Sequence, residues 1–361
     1  MNIVHLVSNK AWGGGERYVL DLCRRSAAAG HSVAVVTRRS EAVDKPFTAA
    51  GFTPGHLPLR GAVDFFSPMA LARVLNRMDA PIVLHAHNFK DAYTAVRARR
   101  LMREPGKVRV VVTRHLVKVA KKSAMERDLY RQIDDIIFVS EAARKAFLDG
   151  HPGCDQRKLH VVHNSIMPPE PAPEENSDTA VRLLYVGRIA PEKGIDVLIE
   201  AMARLTDLNI RLTIAGVGNA KTVMPLMARC RSLDIAERVM WPGHSDNIYA
   251  DIARADIGVL PSVQPESFGL TVLEFMSQGV PVVASNAGGP AEIITDGTDG
   301  LLARPGDADS LAAAVRLLAA DPARRRSMGE AARHTFVERF GYDRFYSDIE
   351  AIYEGTYRHK Q

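Results

Sequence analysis

The chain repeats one pattern along most of its length, in which a short apolar run is followed by an amphipathic stretch of helix length. In the first half these runs are rich in Val and Ile and are flanked by turn residues, as is typical of strands buried on both faces. Strands that alternate with helices predict a parallel, doubly wound α/β sheet. The predicted strands are residues 4–7, 33–37, 82–85, 108–113, 136–139 and 159–162, with helices at 14–29, 67–78, 91–102 and 140–149.

The alternation is interrupted once, by a proline-rich and acidic segment at residues 168–179. This segment has no hydrophobic periodicity, which indicates an interdomain linker. The alternation then restarts, with strands predicted at residues 181–186, 210–215, 239–241, 257–260 and 280–284. We therefore expect an N-terminal Rossmann-like domain at residues 1–167 and a C-terminal one at 180–341, which suits a length of 361 residues. A last amphipathic helix is predicted within residues 342–361.

Composition narrows the functional classes. The shares of hydrophobic residues, 46%, and charged residues, 25%, are ordinary for a globular protein. The three cysteines are scattered and form no CxxC pair, so neither a disulfide framework nor a cysteine metal site is expected. No apolar run approaches the roughly 20 residues that span a bilayer, and the N-terminus is predicted to be a buried strand. These features predict a cytoplasmic protein.

Positive charge is concentrated between Arg97 and Arg131, where twelve Lys or Arg face three acids. The stretch could be a solvated helix face. It could instead contact an acidic acceptor or anionic lipid on the inner face of a membrane, as a peripheral protein does. Nucleic acid is not expected as a partner, because no aromatic interleaving or known binding module accompanies the charge.

The most informative segment is residues 261–279, a loop and a helix between two apolar strands. The helix is predicted to begin within residues 268–270, where its first amides lack intrahelical partners and its dipole is positive. A diphosphate can bind there. Glu266 lies in the loop and Glu274 on the helix, and their carboxylates can accept hydrogen bonds from sugar and ribose hydroxyls. Either acid alone could be a surface residue; the strand–loop–helix context favours a binding site.

A second motif follows the strand at residues 181–186 and contains Arg188 and Lys193 between two glycines. Two cations at the carboxyl end of a strand can converge on one diphosphate and neutralise charge on a departing nucleotide. Lys193 could also be an ordinary residue at a helix start. Because a cation at a helix N-terminus is locally unfavourable, an anion ligand is the favoured interpretation.

Three further segments of the N-terminal half are candidates for ligand binding. Gly14 lies in a glycine turn after the first strand, which lets backbone amides approach a phosphate or sugar, although the turn does not match G-x-G-x-x-G. His115 follows a strand and is expected to face a ligand at the carboxyl edge of the sheet. His85 and His87 form an HxH pair without an evident further ligand, so a metal there is disfavoured.

Asp307 and Asp309 form an Asp-x-Asp string, which some metal-dependent transferases use. The string directly precedes a predicted helix at residues 310–319, so helix capping is the favoured explanation. We therefore expect no metal ion and no other cofactor.

Taken together, these strings resemble the family 4 retaining glycosyltransferases of GT-B fold, and the resemblance runs almost end to end. It implies two Rossmann-like domains that face each other across a cleft, with the last helix crossing back to the N-terminal domain. The motifs that carry it are the glycine turn, Thr113-Arg-His115, Val139-Ser-Glu141, His163-Asn-Ser165, Gly187-Arg188 with Lys193-Gly194, Gly216-Val-Gly218, Gly243-His-Ser-Asp-Asn247, the Glu266 and Glu274 segment, and Ala287-Gly-Gly-Pro-Ala-Glu-Ile-Ile294.

The resemblance implies a donor site in the C-terminal domain. Arg188 and Lys193 are expected to hold the diphosphate, Glu274 the ribose, and Glu266 the hydroxyls of the transferred sugar. In the N-terminal domain, His115 is expected against the donor sugar. The further implied donor contacts are Gly14, Gly216, His244, Phe268, Gly269 and Leu270.

The expected reaction is transfer of a sugar from a nucleotide-sugar donor, UDP- rather than GDP-linked, to a glycan or lipid-linked acceptor. A product in bacterial cell-surface glycan or glycolipid synthesis is expected. No carboxylate is clearly placed as a covalent nucleophile, so the departing diphosphate is expected to help deprotonate the acceptor. Two alternatives stay open on the sequence alone: a sugar-nucleotide epimerase of related fold, and a non-catalytic sugar-nucleotide-binding protein.

Overall fold

The computed structural model describes residues 1–171 and 179–357. Residues 172–178, which make up most of the predicted linker, and residues 358–361 at the C-terminus lie outside the described residues. The chain divides into two compact units, Met1–Asn164 with the segment from Tyr342 onward, and Ser165–Gly341. Ser165 therefore groups with the second unit, where its hydroxyl donates a hydrogen bond to the carbonyl of Phe340.

The first unit is built on a parallel sheet. Its strands are β1 (Asn2–Val7), β2 (Ser32–Thr37), β3 (Gly55–His56), β4 (Ile82–Ala86), β5 (Val108–Arg114), β6 (Asp135–Phe138) and β7 (Leu159–Val161). They lie in the order β3-β2-β1-β4-β5-β6-β7, and every pair is parallel. The strand order therefore changes direction at β1, between β2 and β4.

Helices cover both faces of this sheet. They are α1 (Gly14–Ala28), α2 (Glu41–Ala49), α3 (Phe66–Leu75), α4 (Phe89–Arg100), α5 (Ala124–Gln132), α6 (Glu141–Leu148) and, from the chain end, α14 (Tyr342–Glu354). Alternate side chains of β1 enter two cores: Val4 and Leu6 pack with α3 to α6, and Ile3 and Val7 with α1, α2 and α14. Burial on both faces explains why these strands are continuously apolar.

The second unit repeats the design. Its strands are β8 (Val181–Val186), β9 (Ile210–Ala215), β10 (Val239–Gly243), β11 (Ile257–Leu260), β12 (Val282–Ser285) and β13 (Leu301–Ala303). They form a parallel sheet in the order β10-β9-β8-β11-β12-β13. The helices are α7 (Ile195–Ala203), α8 (Ala220–Ser232), α9 (Ile248–Ala253), α10 (Leu270–Ser277), α11 (Pro290–Ile293), α12 (Ala308–Ala319) and α13 (Pro322–Phe340).

The predicted C-terminal helix, α14, belongs to the first unit although it follows the second in sequence. Tyr353 on this helix contacts His85 of β4, with 2.7 Å between its hydroxyl oxygen and Nδ1 of the imidazole. Glu350 lies 2.8 Å from His31. These two polar contacts and the apolar packing of Phe345, Ile349 and Ile352 fix this helix on the sheet.

Among the helices that the structure describes, none is both long enough and apolar enough to cross a bilayer.

Candidate functional site

The second unit has a topological switch point at β8. The chain passes from β8 to β9 and β10 on one side, and then returns to β11 on the other side of β8. In open α/β sheets, ligands bind outside the carboxyl ends of the strands at such a point. Arg188 and Lys193 follow β8, and Glu266 follows β11. The fold therefore brings the two strongest sequence motifs to one edge of the sheet.

Lys193 and Glu266 are in direct contact there. The ammonium Nζ of Lys193 lies 2.5 Å from Oε1 of Glu266, and the hydroxyl of Ser262 donates to the same oxygen. Within residues 1–171 and 179–357, no group donates a hydrogen bond to the second oxygen, Oε2. Ser262 lies inside the predicted motif, but the sequence analysis assigns it no role. The signal for this contact is a hydroxyl four residues before Glu266.

A tight turn positions Lys193. Residues Pro191–Lys193 form a 3-10 turn, and Gly194 follows with φ of 66°, in the left-handed region. A Cβ at Gly194 would lie 2.1 Å from the carbonyl oxygen of Pro261, so only glycine fits between the two loops. The amide of Val263 donates to the carbonyl of Glu192 at 3.0 Å, which ties the loop after β8 to the loop after β11.

The loop that carries Glu266 is held from its other side by the segment after β12. The backbone of Glu266 forms a parallel bridge with Gly288, and the amide of Gly289 donates to the carbonyl of Glu266 at 3.0 Å. Gly288 and Gly289 of the sequence motif thus support the loop that carries Glu266.

Arg188 is the more exposed of the two predicted cations. Its side chain is 66% exposed and Nη2 lies 2.5 Å from Oε1 of Glu192, one turn further along the chain. Its ion-pair partner in the described structure is therefore Glu192, a residue to which the sequence reasoning gave no role.

Helix α10 begins where the sequence predicted. Gly269, with φ of 100°, caps the helix, Leu270 is its first residue, and Phe268 before it is buried. Glu274 lies on the helix and is only 7% exposed. A buried acid on the helix that starts beside Glu266 is compatible with its predicted place at the ribose.

Gly216 and His244 lie on the other side of β8. A Cβ at Gly216 would lie 1.8 Å from the carbonyl oxygen of Gly187, so the turns after β8 and β9 touch through their backbones. The amide of Gly216 also donates to the carbonyl of Gly243 at 2.7 Å. His244 follows β10, the edge strand, and its side chain is 72% exposed.

The first unit carries a pocket of about 870 Å³ at the carboxyl ends of β1, β4 and β5. This edge is the switch point of the first sheet. Residues that line the pocket include Ser8, Asn9, Gly15, Glu16, Arg60, His87, Lys90, Tyr93, Arg114, His115, Lys118, Lys121 and Glu126.

The predicted glycine turn opens α1, which begins at Gly14 after an N-cap at Gly13. Gly15 lines the pocket, as does Glu16, whose carboxylate accepts a hydrogen bond of 2.6 Å from the side-chain amide of Asn9. The turn thus stands at the pocket wall.

His115 lines the same pocket, directly after β5. Its ring packs edge-on against Tyr18, with 4.8 Å between ring centroids, and its buried Nε2 has no hydrogen-bond partner. Burial lowers the pKa of His115 to about 4, so the imidazole is neutral at pH 7.

His85 and His87 are joined by a third histidine, His5, which the sequence reasoning missed. His5 pairs with His85 in the register of β1 and β4, and ligand atoms of the three rings lie within 4.8 Å of one another. Both ring nitrogens of His85 are already engaged, by Tyr353 at 2.7 Å and by Thr113 at 2.8 Å. These contacts form a hydrogen-bonded network between the sheet and α14.

Asp307 is the N-cap of α12, and its carboxylate accepts a hydrogen bond from the amide of Ser310. The prediction that this Asp-x-Asp string caps a helix is confirmed.

The basic stretch from Arg97 to Arg131 does not form one continuous surface. Arg99 pairs with Asp134, Arg100 with Asp128 and Arg109 with Asp135. Arg114 is buried. The exposed remainder includes residues 116–123, a loop with three lysines that leads into α5.

Comparison with known proteins gives a consistent assignment. A family described as Glycosyltransferase Family 4 matches residues 12–168, and one described as Glycosyl transferases group 1 matches residues 168–335. The glycogen synthase of Mycobacterium tuberculosis is 29% identical over 94% of this chain and 91% of that protein. The D-inositol 3-phosphate glycosyltransferase of Nocardiopsis dassonvillei is 28% identical over 94% of this chain and 89% of that protein.

A solved structure shares the fold. Anabaena Alr3699/HepE in complex with UDP-glucose superposes with a TM-score of 0.82 at 20% identity, over 98% of this chain and 100% of that chain. The same assignment follows from the two Rossmann-like units, from the motifs at their switch points and from the matches to both families. The chain belongs to the family 4 glycosyltransferases and has the GT-B fold.

Proposed function

We propose that this glycosyltransferase moves a sugar from a nucleotide sugar to an acceptor hydroxyl with retention of the anomeric configuration. The observation that supports the donor assignment best is the contact between Lys193 and Glu266 at the switch point of the second unit. A cation beside a carboxylate suits a ligand that carries a diphosphate next to hydroxyl groups. The diphosphate binds at Lys193, and a sugar hydroxyl donates to Glu266.

In the proposed reaction, the acceptor oxygen bonds to the anomeric carbon on the face from which the nucleoside diphosphate departs. The bond between that carbon and the diphosphate oxygen breaks, and the diphosphate takes the acceptor proton. Lys193 and Arg188 stabilise the charge that develops on the diphosphate. Side chains and the first amides of α10 supply the charge stabilisation, so the proposal needs no metal ion.

UDP is the proposed nucleotide. The solved Anabaena structure of the same fold holds UDP-glucose, which supports a UDP-sugar over a GDP-sugar. The names of the two relatives refer to different acceptors, glycogen and D-inositol 3-phosphate. The donor is therefore better constrained than the acceptor.

We also propose that the loop at residues 116–123 and the first turn of α5 contact an anionic lipid surface, which suits a product in cell-surface glycan or glycolipid synthesis. This segment exposes Leu116, Val119 and Met125, each more than half exposed, among Lys118, Lys121 and Lys122. Apolar side chains can enter the headgroup region while lysines attract anionic lipids, each by about 1 kcal/mol. The fraction of protein that cosediments with phosphatidylglycerol vesicles should fall as the salt concentration rises. A bound fraction that does not change with salt concentration contradicts this contact.

The anomeric outcome tests the reaction. The purified protein is incubated with UDP-glucose or UDP-N-acetylglucosamine without added acceptor, so that water accepts the sugar slowly, and the first product is observed by proton NMR. We expect the α-sugar together with UDP. A β-sugar as first product contradicts retention, and an epimerised nucleotide sugar without UDP release identifies an epimerase instead.

A further inference from the structure

The pocket of the first unit has an excess of positive charge. Its walls carry five cations and only two acids, Glu16 and Glu126. Both acids are engaged: Glu126 lies 3.1 Å from the ammonium of Lys121, and Glu16 accepts a hydrogen bond from Asn9. The cations outside the pair of Lys121 with Glu126 are Arg60, Lys90, Arg114 and Lys118, and with Glu16 counted the wall keeps an excess of three positive charges.

Arg114 is the unusual member of this group because it is only 8% exposed. Its guanidinium packs against the rings of Phe89 and Phe147, at 5.1 and 5.2 Å from the ring centroids. It donates hydrogen bonds to the carbonyls of Leu116 and Lys118. Within the part of the chain that the structure describes, Arg114 has no carboxylate partner.

A buried guanidinium that meets only carbonyls and rings is costly, because an uncompensated charge loses its hydration. Burial accordingly lowers the pKa of Arg114. Lys90 adds a second positive charge at the wall; its stem lies against Gly61, where a Cβ would come within 2.8 Å of Cγ of Lys90. The chain thus provides two cations and leaves the matching anion to a ligand.

The same pocket contains polar atoms without partners. Three side chains of its wall have a buried nitrogen or oxygen that makes no hydrogen bond in the described structure: Tyr93 Oη, His87 Nδ1 and His115 Nε2. Buried polar groups are normally paired, so unpaired ones that line a cavity indicate a ligand with hydroxyl groups. The volume of the cavity, about 870 Å³, lies in the range of small-molecule binding pockets.

We propose that this pocket binds the acceptor through a phosphate ester, which Arg114 and Lys90 hold, while acceptor hydroxyls meet Tyr93, His87 and His115. This proposal rests on the proposed function, because the ligand is an acceptor only if the protein transfers a sugar to it. A phosphate suits the site better than a carboxylate, because its greater charge matches the excess of cations. The ester can belong to a free sugar or polyol phosphate or to a phospholipid headgroup.

A purely structural role for Arg114 makes a different prediction. In that case the guanidinium only fixes the loop at Leu116 and Lys118, and its loss affects stability without altering the preference for phosphorylated ligands. The deciding readout is therefore the ratio of affinities for a phosphorylated probe and its unphosphorylated counterpart.

Calorimetric titrations of the full-length protein measure this ratio. The soluble probes are glucose 6-phosphate against glucose, glycerol 3-phosphate against glycerol, and myo-inositol 1-phosphate against myo-inositol. The lipid probe is vesicles with phosphatidylinositol against vesicles of phosphatidylcholine alone. We expect at least one phosphorylated member to bind tenfold or more tightly than its counterpart. Preference within the soluble pairs identifies a free phosphate ester, and preference for vesicles alone identifies a lipid headgroup.

Arg114→Gln should reduce that ratio at least tenfold, and Lys90→Gln, an exposed change that spares the core, should reduce it several-fold. Arg103→Gln removes a charge from the same unit outside the pocket and should leave the ratio unchanged. Equal affinity within every pair, or a ratio that survives in both pocket variants, overturns the proposal.

Donor binding separates this inference from the proposed function. If the phosphate preference is present but no nucleotide sugar binds, the proposed function fails and the pocket assignment stands. If UDP-sugars bind to the wild type and to Arg114→Gln alike while no phosphate preference exists, the donor assignment stands and the acceptor class is wrong.

Discussion

The ammonium of Lys193 lies 2.5 Å from Oε1 of Glu266, although 73 positions separate the two residues in the chain. The contact joins the loops after β8 and β11, the two strands that flank the switch point of the second sheet. Each side chain neutralises the other before a donor binds. In the proposed reaction, a diphosphate therefore meets a lysine that is already positioned, at the expense of part of its ion pair with Glu266.

Replacing Lys193 with Ala should lower kcat by about 10²- to 10³-fold, the usual effect of removing one group that stabilises transition-state charge. Steady-state release of UDP from a UDP-sugar measures this. Lys221→Ala, an exposed lysine on α8 of the same unit, is the matched control and should retain wild-type turnover. Equal turnover in both variants means that Lys193 does not act on the diphosphate.

Glu192 competes with a phosphate for the charge of Arg188, because Oε1 of Glu192 lies 2.5 Å from Nη2 of Arg188. Exposed ion pairs of this kind contribute up to about 1 kcal/mol, so Glu192→Gln should tighten UDP binding by at most about fivefold. Arg188→Ala should weaken it. Glu237→Gln makes the same charge change elsewhere in the unit and should alter affinity less in calorimetric titrations. Weaker binding by Glu192→Gln indicates that Glu192 itself contacts the ligand.

The buried histidines of the first unit should make its stability fall in mild acid. Burial lowers the pKa of His5 to about 3 and that of His115 to about 4, and it also lowers the pKa of His85 and His87. The unfolded chain therefore binds more protons than the folded one as pH falls below the ordinary value of 6.5. Each such histidine costs about 1.4 kcal/mol per pH unit below that value.

This prediction is tested by comparing pH profiles of the free energy of unfolding. His5→Gln should flatten the decline between pH 6.5 and 4.5, whereas the exposed His334→Gln should not. The comparison of variants is necessary because Asp91 acts in the opposite direction: burial raises its pKa to about 7, so its contribution is largest in acid and is lost as pH rises to 7. If the free energy of unfolding declines equally with falling pH in the wild type, His5→Gln and His334→Gln, burial of a neutral His5 does not cause the decline.

Two buried tyrosines of the first unit should differ in their contributions to stability. The hydroxyl of Tyr353 bonds to His85, whereas that of Tyr93 has no partner. Tyr353→Phe leaves a buried imidazole nitrogen unpaired and should destabilise the protein by about 1–3 kcal/mol, while Tyr93→Phe should be near neutral. Urea unfolding measures both; equal losses contradict the view that α14 is fixed through His85.

The strands and the donor motifs could be predicted from the sequence because they depend on local signals. Strands buried on both faces are continuously apolar, and β8, β9 and β11 match their predicted bounds. Shorter or more polar elements gave no such signal: β3 has two residues, and α5 is nine residues long with four charges. The helix α2 contains Pro46, which conceals its periodicity.

The contacts within the candidate site could be predicted only in part, because they depend on register between distant segments. The place of His5 beside His85 follows from the pairing of β1 with β4, which no local pattern reveals. The ion pairs of the basic stretch depend on register in the same way, because the partners of Arg99 and Arg109 lie beyond it, at Asp134 and Asp135. Arg114, the buried residue of this stretch, packs its guanidinium against the rings of Phe89 and Phe147, and no local pattern around Arg114 predicts that contact.

The central claim is that this protein binds a nucleotide sugar without a metal ion. A thermal-shift measurement with nucleotide sugars, with EDTA present throughout, tests it most directly. The panel contains UDP-glucose, UDP-N-acetylglucosamine and GDP-mannose, applied to the wild type, Glu274→Ala and the exposed control Glu237→Ala. A ligand at 100 times its Kd stabilises the fold by about 2.7 kcal/mol. We expect a UDP-sugar to raise Tm in the wild type and in Glu237→Ala but not in Glu274→Ala. No rise with any nucleotide sugar, or an equal rise in Glu274→Ala, contradicts this expectation.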